Sequence, residues 1–248
     1  IVSCELRKSR SVILTYWFVI FLHQVTAFLN AHLFAWGTRF GMLVTEMGTM
    51  LAADRLGTYG AKEDANFGFH IIAKELALRG ELGFRSINLS VPLSLDSFFK
   101  RDTFYYELLG TLYQWFGSSI LIGEQFSILV FALSCIVLLK IIRMLGVDKY
   151  AARSLALFGM LPTMVLLGSV TLRESYLVFF FMLTVYLGMK ISINGKLNIP
   201  CFFLMIMSAF VMGLFHKALA FCSIFIISLF MVWPLRPVNQ FGNMKKLQ

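Results

Sequence analysis

The sequence predicts an all-α, polytopic membrane protein with about six transmembrane helices and a large first extracytoplasmic loop carrying two amphipathic helices. Three observations lead there. The 248 residues are 58% hydrophobic and only 14% charged, with a mean hydropathy of +0.78, against about 25% charged residues in an ordinary soluble domain. Apolar side chains this abundant exceed what one water-soluble core can bury, so they need lipid. Second, six segments are apolar over lengths near the roughly 20 residues that cross about 30 Å of hydrocarbon. Third, the Lys/Arg clusters beside those segments all fall on one side of an alternating path. The same composition excludes a disordered chain, a disulfide-stapled secreted module and most soluble enzymes.

Residues 11–36 form the first span, interrupted by His23, Gln24 and Asn30. His23 and Gln24 read as helix–helix hydrogen-bonding groups. Residues 118–139, 154–170, 176–189, 199–215 and 218–233 give the remaining five, and Glu124 lies near the outer end of the second, where an intramembrane carboxylate is a functional candidate by default. The last two spans meet at His216-Lys217. Fused, they would exceed the bilayer thickness, so a tight helical hairpin is expected. The whole chain, 1–248, reads as one membrane domain: first span to residue 36, loop at 37–117, five spans at 118–233 and a cytoplasmic tail at 234–248.

Sidedness follows from the cations. Arg7, Lys8 and Arg10 precede the first span; Lys140, Arg143, Lys149 and Arg153 join the second to the third; Lys190 and Lys196 join the fourth to the fifth; Arg236, Lys245 and Lys246 follow the sixth. Placing all four groups in the cytoplasm puts the N-terminus inside and the long loop outside; the chain is expected to be an integral protein of a bacterial plasma membrane. The net charge of +9 is therefore a topology signal, and no nucleic-acid partner is implied. Cys4, Cys135, Cys201 and Cys222 show no paired spacing, so neither a disulfide framework nor a metal site is indicated. The chain starts at Ile1 and carries no signal-peptide cleavage site in its N-terminal stretch.

A connection of about 80 residues is usually functional. Nine of the thirteen acidic residues lie in this loop beside eight Lys/Arg, which leaves it nearly neutral. Within it, residues 64–80 place Phe67, Ile71, Leu76 and Leu78 with Ala73 and Ala77 at helical spacing; Asp64 can cap the start and Gly80 stops the last turn. A second helix, residues 104–116, is rich in Phe, Tyr and Trp and suits the headgroup zone. Asp64 has two compatible readings: an N-cap, or a carboxylate whose partial desolvation at the lipid boundary makes it a useful general base.

These residues resemble a known pattern. Asp64-Ala65, Phe67, Ala73 and Leu76, then Tyr105-Tyr106, Leu108-Leu109 and Trp115-Phe116-Gly117, are similar to the first outer loop of polyprenyl-phosphate-sugar-dependent membrane glycosyltransferases of the GT-C type. The likeness continues through the basic turn at residues 146–152, Leu161-Pro162, and the polar turn at residues 169–175 with Ser169, Arg173, Glu174 and Ser175. It departs from the pattern at Phe67, where Tyr is commoner, in one extra residue between Asp64 and Ala73, and in a second acidic candidate, Asp54. The family usually has more than six spans, so the chain reads as a shortened or N-terminal part of one.

The resemblance implies an inverting glycosyltransferase that moves a sugar from a polyprenyl-phosphate carrier to a glycan, lipid or protein acceptor, with membrane lipids around it and no cofactor. Asp64 is then the base, with Asp54 as second choice. Arg173 and Lys217 are the cations for the carrier phosphate, and His216, Arg101 and Glu174 complete the candidate substrate site. No metal is expected. Readings from other classes are a non-catalytic subunit of a membrane complex, a transporter-like half with a loop lid, and a polysaccharide polymerase or ligase using His216-Lys217. Arg173 also reads as half of a local pair with Glu174, and Lys217 as a snorkelling turn residue.

Overall fold

The computed structural model describes residues 9–35, 70, 73–74, 76–78, 104–169, 173–194 and 198–232. Among them there is no strand. The helices are α1 (Arg10–Ala35), α2 (Phe104–Phe116), α3 (Ile120–Met144), α4 (Ala151–Met160), α5 (Pro162–Ser169), α6 (Glu174–Asn194), α7 (Ile199–Phe215) and α8 (Lys217–Val232), with a 3₁₀ turn at Asp148–Tyr150 before α4.

Their side-chain pattern is that of a protein solvated by lipid. On α1, Val12, Tyr16, Val19, His23 and Ala27 are buried, while Leu14, Trp17, Phe18, Phe21 and Phe28 face outward. Both stripes recur at helical spacing and both are apolar, with the polar exception, His23, on the inner one. The outward faces of α7 and α8 repeat this with Phe203, Leu204, Phe210, Phe221, Ile224 and Phe225, whereas Ser208 and Ser223 point inward. Water would favour the reverse. With three helices long and apolar enough to cross a bilayer, this is an integral membrane protein.

Among the described residues each of the six expected segments is helical, but fewer than six helices are long and apolar enough to be spans. By length and composition α1, α3 and α6 qualify, and α4 with α5 makes a fourth only if the bent pair counts as one span. The third expected span, residues 154–170, is broken: the helix axes on either side differ by 66°. Pro162 is the cause. It has no N–H for the preceding turn, and it drives Leu161 out of the helical region, to φ −56° and ψ 130°. The α7–α8 pair fails on length, since the 17 residues of α7 rise only about 25 Å.

The chain forms two compact units. The first comprises residues 1–19, 130–161 and 176–248. Its α6, α7 and α8 pack antiparallel. Tyr176 and Phe180 near the start of α6 meet Phe215 at the end of α7, at 5.4 and 6.1 Å between ring centres. Leu187 and Ile191, farther along, meet Cys201 and Met205 near the start of α7, and Ile227 of α8 returns to the same cluster. The hairpin at His216-Lys217 is therefore present, turned by His216 in an extended conformation at the end of α7. Asn198 caps the start of α7 by accepting from the Cys201 N–H. In the same unit Phe131 of α3 stacks on Phe158 of α4 at 5.3 Å, and Gly159 leaves room for Val19 of α1.

The second unit comprises residues 20–129 and 162–175. It contains α2, α5, the later part of α1, the first part of α3 and the described loop-helix residues. His70, Ala73, Lys74, Leu76, Ala77 and Leu78 are helical, as the spacing predicts. Of the expected apolar stripe, Ala73 is wholly buried, whereas Leu78 is 74% exposed. On α2, Phe104, Tyr105, Glu107, Leu109 and Tyr113 are buried and Trp115 and Phe116 exposed. Gly117 closes α2 at φ 97° with its N–H on the Tyr113 carbonyl, a conformation that needs glycine.

Candidate functional site

Polar side chains in the second unit gather on buried surfaces. His23 of α1 places Nε2 3.2 Å from the Met164 carbonyl of α5. Gln24 and Gln125 exchange two amide hydrogen bonds, at 2.7 and 2.9 Å, joining α1 to α3. These are the helix–helix bonds expected of His23 and Gln24. Glu124 and Ser127 of α3 and Ser169 at the end of α5 are wholly buried. Most hydroxyls in these helices satisfy themselves locally, as Ser134 does on Val130, Thr26 on Leu22 and Ser223 on Leu219. Ser127 and Ser169 do not, and neither has a hydrogen-bond partner among the described residues. Two buried donors are thus left for another group.

Immediately after α5 comes the charged pair. Arg173 Nε lies 4.0 Å from Glu174 Oε1, with the side chains 25% and 35% exposed. Glu174 is the first residue of α6, where a carboxylate complements the helix dipole. Ser175 donates to the Leu167 carbonyl at 3.0 Å, tying the start of α6 to α5. Arg173 is thereby a cation held at the end of a span, mostly withdrawn from solvent, with Ser169 four residues before it.

The described loop-helix residues dock on α2. His70 Nδ1 is 2.8 Å from the Tyr113 hydroxyl, and the rings meet edge to face at 5.3 Å. Burial, reinforced by the nearby Lys74 ammonium, lowers the His70 pKa from 6.5 to about 4. The imidazole is therefore neutral at pH 7. Glu107, one and a half turns before Tyr113 on the same helix, is 92% buried, its exposure being 8%.

Of the sequence-predicted site residues, Arg173 and Glu174 come together as described. His216 belongs to the first unit; its Nδ1 is buried and meets no hydrogen-bond partner among the described residues. Lys217 opens α8, and its side chain lies outside the described set. Asp54, Asp64 and Arg101 also lie outside the described residues. Among the described residues no group of three or more His, Cys, Asp or Glu side chains is placed to hold a metal ion.

Sequence pattern did not single out His70 or the Tyr113 hydroxyl as site groups, and Ser169 entered only as the first residue of the polar turn 169–175. His70 had a legible signal, since residues 70, 73 and 77 share one helix face. Ser169 had none: a serine at a helix end is common, and only its burial singles it out.

Compared with known protein families, with curated proteins and with solved structures, the chain matches none.

Proposed function

We propose that this integral membrane protein is a glycosyltransferase of the GT-C type, transferring a sugar from a polyprenyl-phosphate donor to an acceptor at the face where the long loop lies. The carrier lipid fixes the donor phosphate at the membrane interface, so the chemistry belongs where a span end supplies cations and hydroxyl donors. The observation that carries the reading is Arg173, three-quarters withdrawn from solvent at the start of α6 and close in sequence to the buried, unpartnered Ser169 hydroxyl. A guanidinium in a partly desolvated setting binds a phosphate through charge-assisted hydrogen bonds and stabilises the charge that grows on it as the sugar leaves. Glu174 holds the guanidinium while the donor is absent.

In this reading Asp64 takes the acceptor proton as its oxygen attacks the anomeric carbon from the side opposite the phosphate, inverting that centre; Asp54 is the second choice. The docking of His70 on Tyr113 supports a fixed loop helix, and Asp64 precedes His70 by six residues in the same amphipathic segment. Lys217, His216 and Arg101 are the further candidates for the donor. The cation clusters favour an N-terminus in the cytoplasm, and the reading places the chain in a bacterial plasma membrane.

The experiment is transfer from a radiolabelled polyprenyl-phosphate sugar in membranes containing the chain. Asp64→Asn and Arg173→Gln are expected to lower transfer at least 100-fold with unchanged protein level, given the usual worth of a base and of a charge-stabilising donor. Undiminished transfer by Asp64→Asn removes it as base. No transfer by the unaltered chain favours the non-catalytic subunit.

One observation favours a second reading. The 66° break between α4 and α5 is the kind of discontinuous helix found at transporter substrate sites. That reading predicts counterflow of substrate across vesicles that survives Asp64→Asn.

A further inference from the structure

A cavity of about 380 Å³ opens in the first unit, lined by Ser9, Val12, Arg143, Asp148 and Ala151. It lies at the start of α1 and beyond the end of α3, two helices long and apolar enough to span the bilayer. Their ends leave the hydrocarbon at the headgroup layer, and the cavity therefore opens there. Its volume is within the range of small-molecule sites, which begin at about 300 Å³.

The turn that builds it is well determined. Gly146, at φ 69°, ends α3 with its N–H on the Arg143 carbonyl while the Val147 N–H reaches the Ile142 carbonyl, the paired bonds of a Schellman motif. The chain thus reverses and brings Asp148 back to Arg143, Oδ1 to Nε at 3.6 Å. The guanidinium side chain is 14% exposed and the carboxylate 63%. On the opposite wall Ser9 supplies a hydroxyl, and α1 has no acidic residue in its first turn to offset its positive dipole. Arg10 follows Ser9, Lys149 follows Asp148, and Arg153 lies two residues past Ala151. A mostly buried arginine in the lining, with three exposed cations within two residues of lining residues in sequence, is the chemistry of an anionic headgroup pocket.

We infer that this cavity binds the phosphodiester of an anionic phospholipid whose headgroup carries hydroxyls, as phosphatidylglycerol does. The phosphate oxygens accept from Arg143 and Ser9. Asp148, which can only accept, takes the headgroup hydroxyls at the mouth, and Val12 meets the start of the glycerol backbone. The surrounding cations favour a lipid of net negative charge over a zwitterionic one. Asp148 then serves two states: it neutralises Arg143 in the empty cavity and turns to the headgroup when the lipid arrives, which its exposure permits. The site lies in the first unit and does not rest on the transferase reading.

The test uses the full chain in nanodiscs of phosphatidylcholine alone or with added phosphatidylglycerol, read by thermal unfolding and by native mass spectrometry of retained lipid. Phosphatidylglycerol is expected to raise the melting temperature and remain bound, with phosphatidylethanolamine much weaker. Arg143→Gln should melt near the unaltered protein in phosphatidylcholine and bind phosphatidylglycerol about tenfold more weakly, the worth of one charge-assisted bond; Arg143→Lys should recover part of that. Asp148→Asn keeps the phosphate contact and retains the lipid. Equal binding by Arg143→Gln in nanodiscs overturns the site, as does an Asp148→Asn variant that loses the lipid. Should Arg143→Gln fail to fold, Ser9→Ala in the same assay must weaken binding, and no change overturns it. Glycerol phosphate in detergent that gives the full shift overturns the lipid as the source of the anion.

Discussion

His70 Nδ1 lies 2.8 Å from the Tyr113 hydroxyl, so two helices of one long loop are tied by a bond between a neutral imidazole and a buried phenol. Tyr113→Phe removes the hydroxyl and leaves His70 Nδ1 without this partner, at a cost of about 1 kcal/mol. Hydrogen exchange at residues 73–78 is expected to speed by roughly five- to tenfold, with the rest of the chain unchanged. Unaltered exchange would mean that ring packing, not the hydrogen bond, holds the loop helix.

The same histidine sets a pH dependence. Its folded pKa of about 4 is below the unfolded value of 6.5, so between those values the unfolded loop binds a proton that the docked loop refuses. Docking is therefore fully favoured above about pH 6.5 and weakens as pH falls toward 4. His70→Gln should flatten that profile. The measurement is loop protection from protease between pH 4 and pH 7.5; a profile in the variant as steep as in the unaltered chain assigns the effect to another group.

Gln24 and Gln125 give a test of non-additivity. Each amide both donates to and accepts from the other, so Gln24→Leu strands the Gln125 amide in an apolar surround. We expect the single change to cost about 1–2 kcal/mol, and Gln24→Leu with Gln125→Leu together to cost less than either alone. Denaturant titration in micelles measures all four corners of the cycle. Costs that simply add would show that the two amides are solvated independently.

What the sequence made legible is whatever depends on local pattern. The apolar runs located α1, α3, α6, α7 and α8 within a few residues, and the loop spacing found a helix through residues 73–78. Non-local placement was not legible. Leu78 fits an apolar stripe, yet it is 74% exposed, because the inward face is chosen by the partner helix and not by hydrophobicity alone. The third expected span, residues 154–170, is broken for a related reason. A Leu-Pro step inside an apolar run looks continuous to hydropathy, and only backbone geometry shows the turn at Leu161. Of the candidate site, the Arg173–Glu174 pair followed from adjacency, whereas Ser169 becomes notable only through burial that no neighbour in sequence foretells.

On α6, Gly188 lies against the Phe230 ring of α8, and a Cβ there would overlap the ring carbons. Gly188→Ala must push the ring aside and is expected to cost about 1–3 kcal/mol, an overpacking penalty, despite the better helix propensity of alanine. Phe230→Leu in the same chain shortens the obstacle and should recover at least half of that loss. A Gly188→Ala variant as stable as the unaltered protein would show that the α6–α8 contact is loose.

Pro162 offers the sharpest test of how the fold departs from the hydropathy pattern. It bends α4 and α5 by 66° by withholding an N–H and excluding helix at Leu161. Pro162→Ala restores both, so residues 151–169 can run as one helix of about 28 Å, close to the bilayer core. Straightening would carry Met164 away from His23, whose Nε2 lies 3.2 Å from the Met164 carbonyl, and a buried imidazole would then lose a partner. The two effects oppose each other. Helix propensity gains about 3 kcal/mol from replacing the proline, against about 1 kcal/mol for losing one hydrogen bond of a buried imidazole, so the variant is expected to straighten without large loss of stability. Spin labels at residues 153 and 167 should move apart on substitution; an unchanged distance would show that tertiary packing, and not the proline, holds the bend.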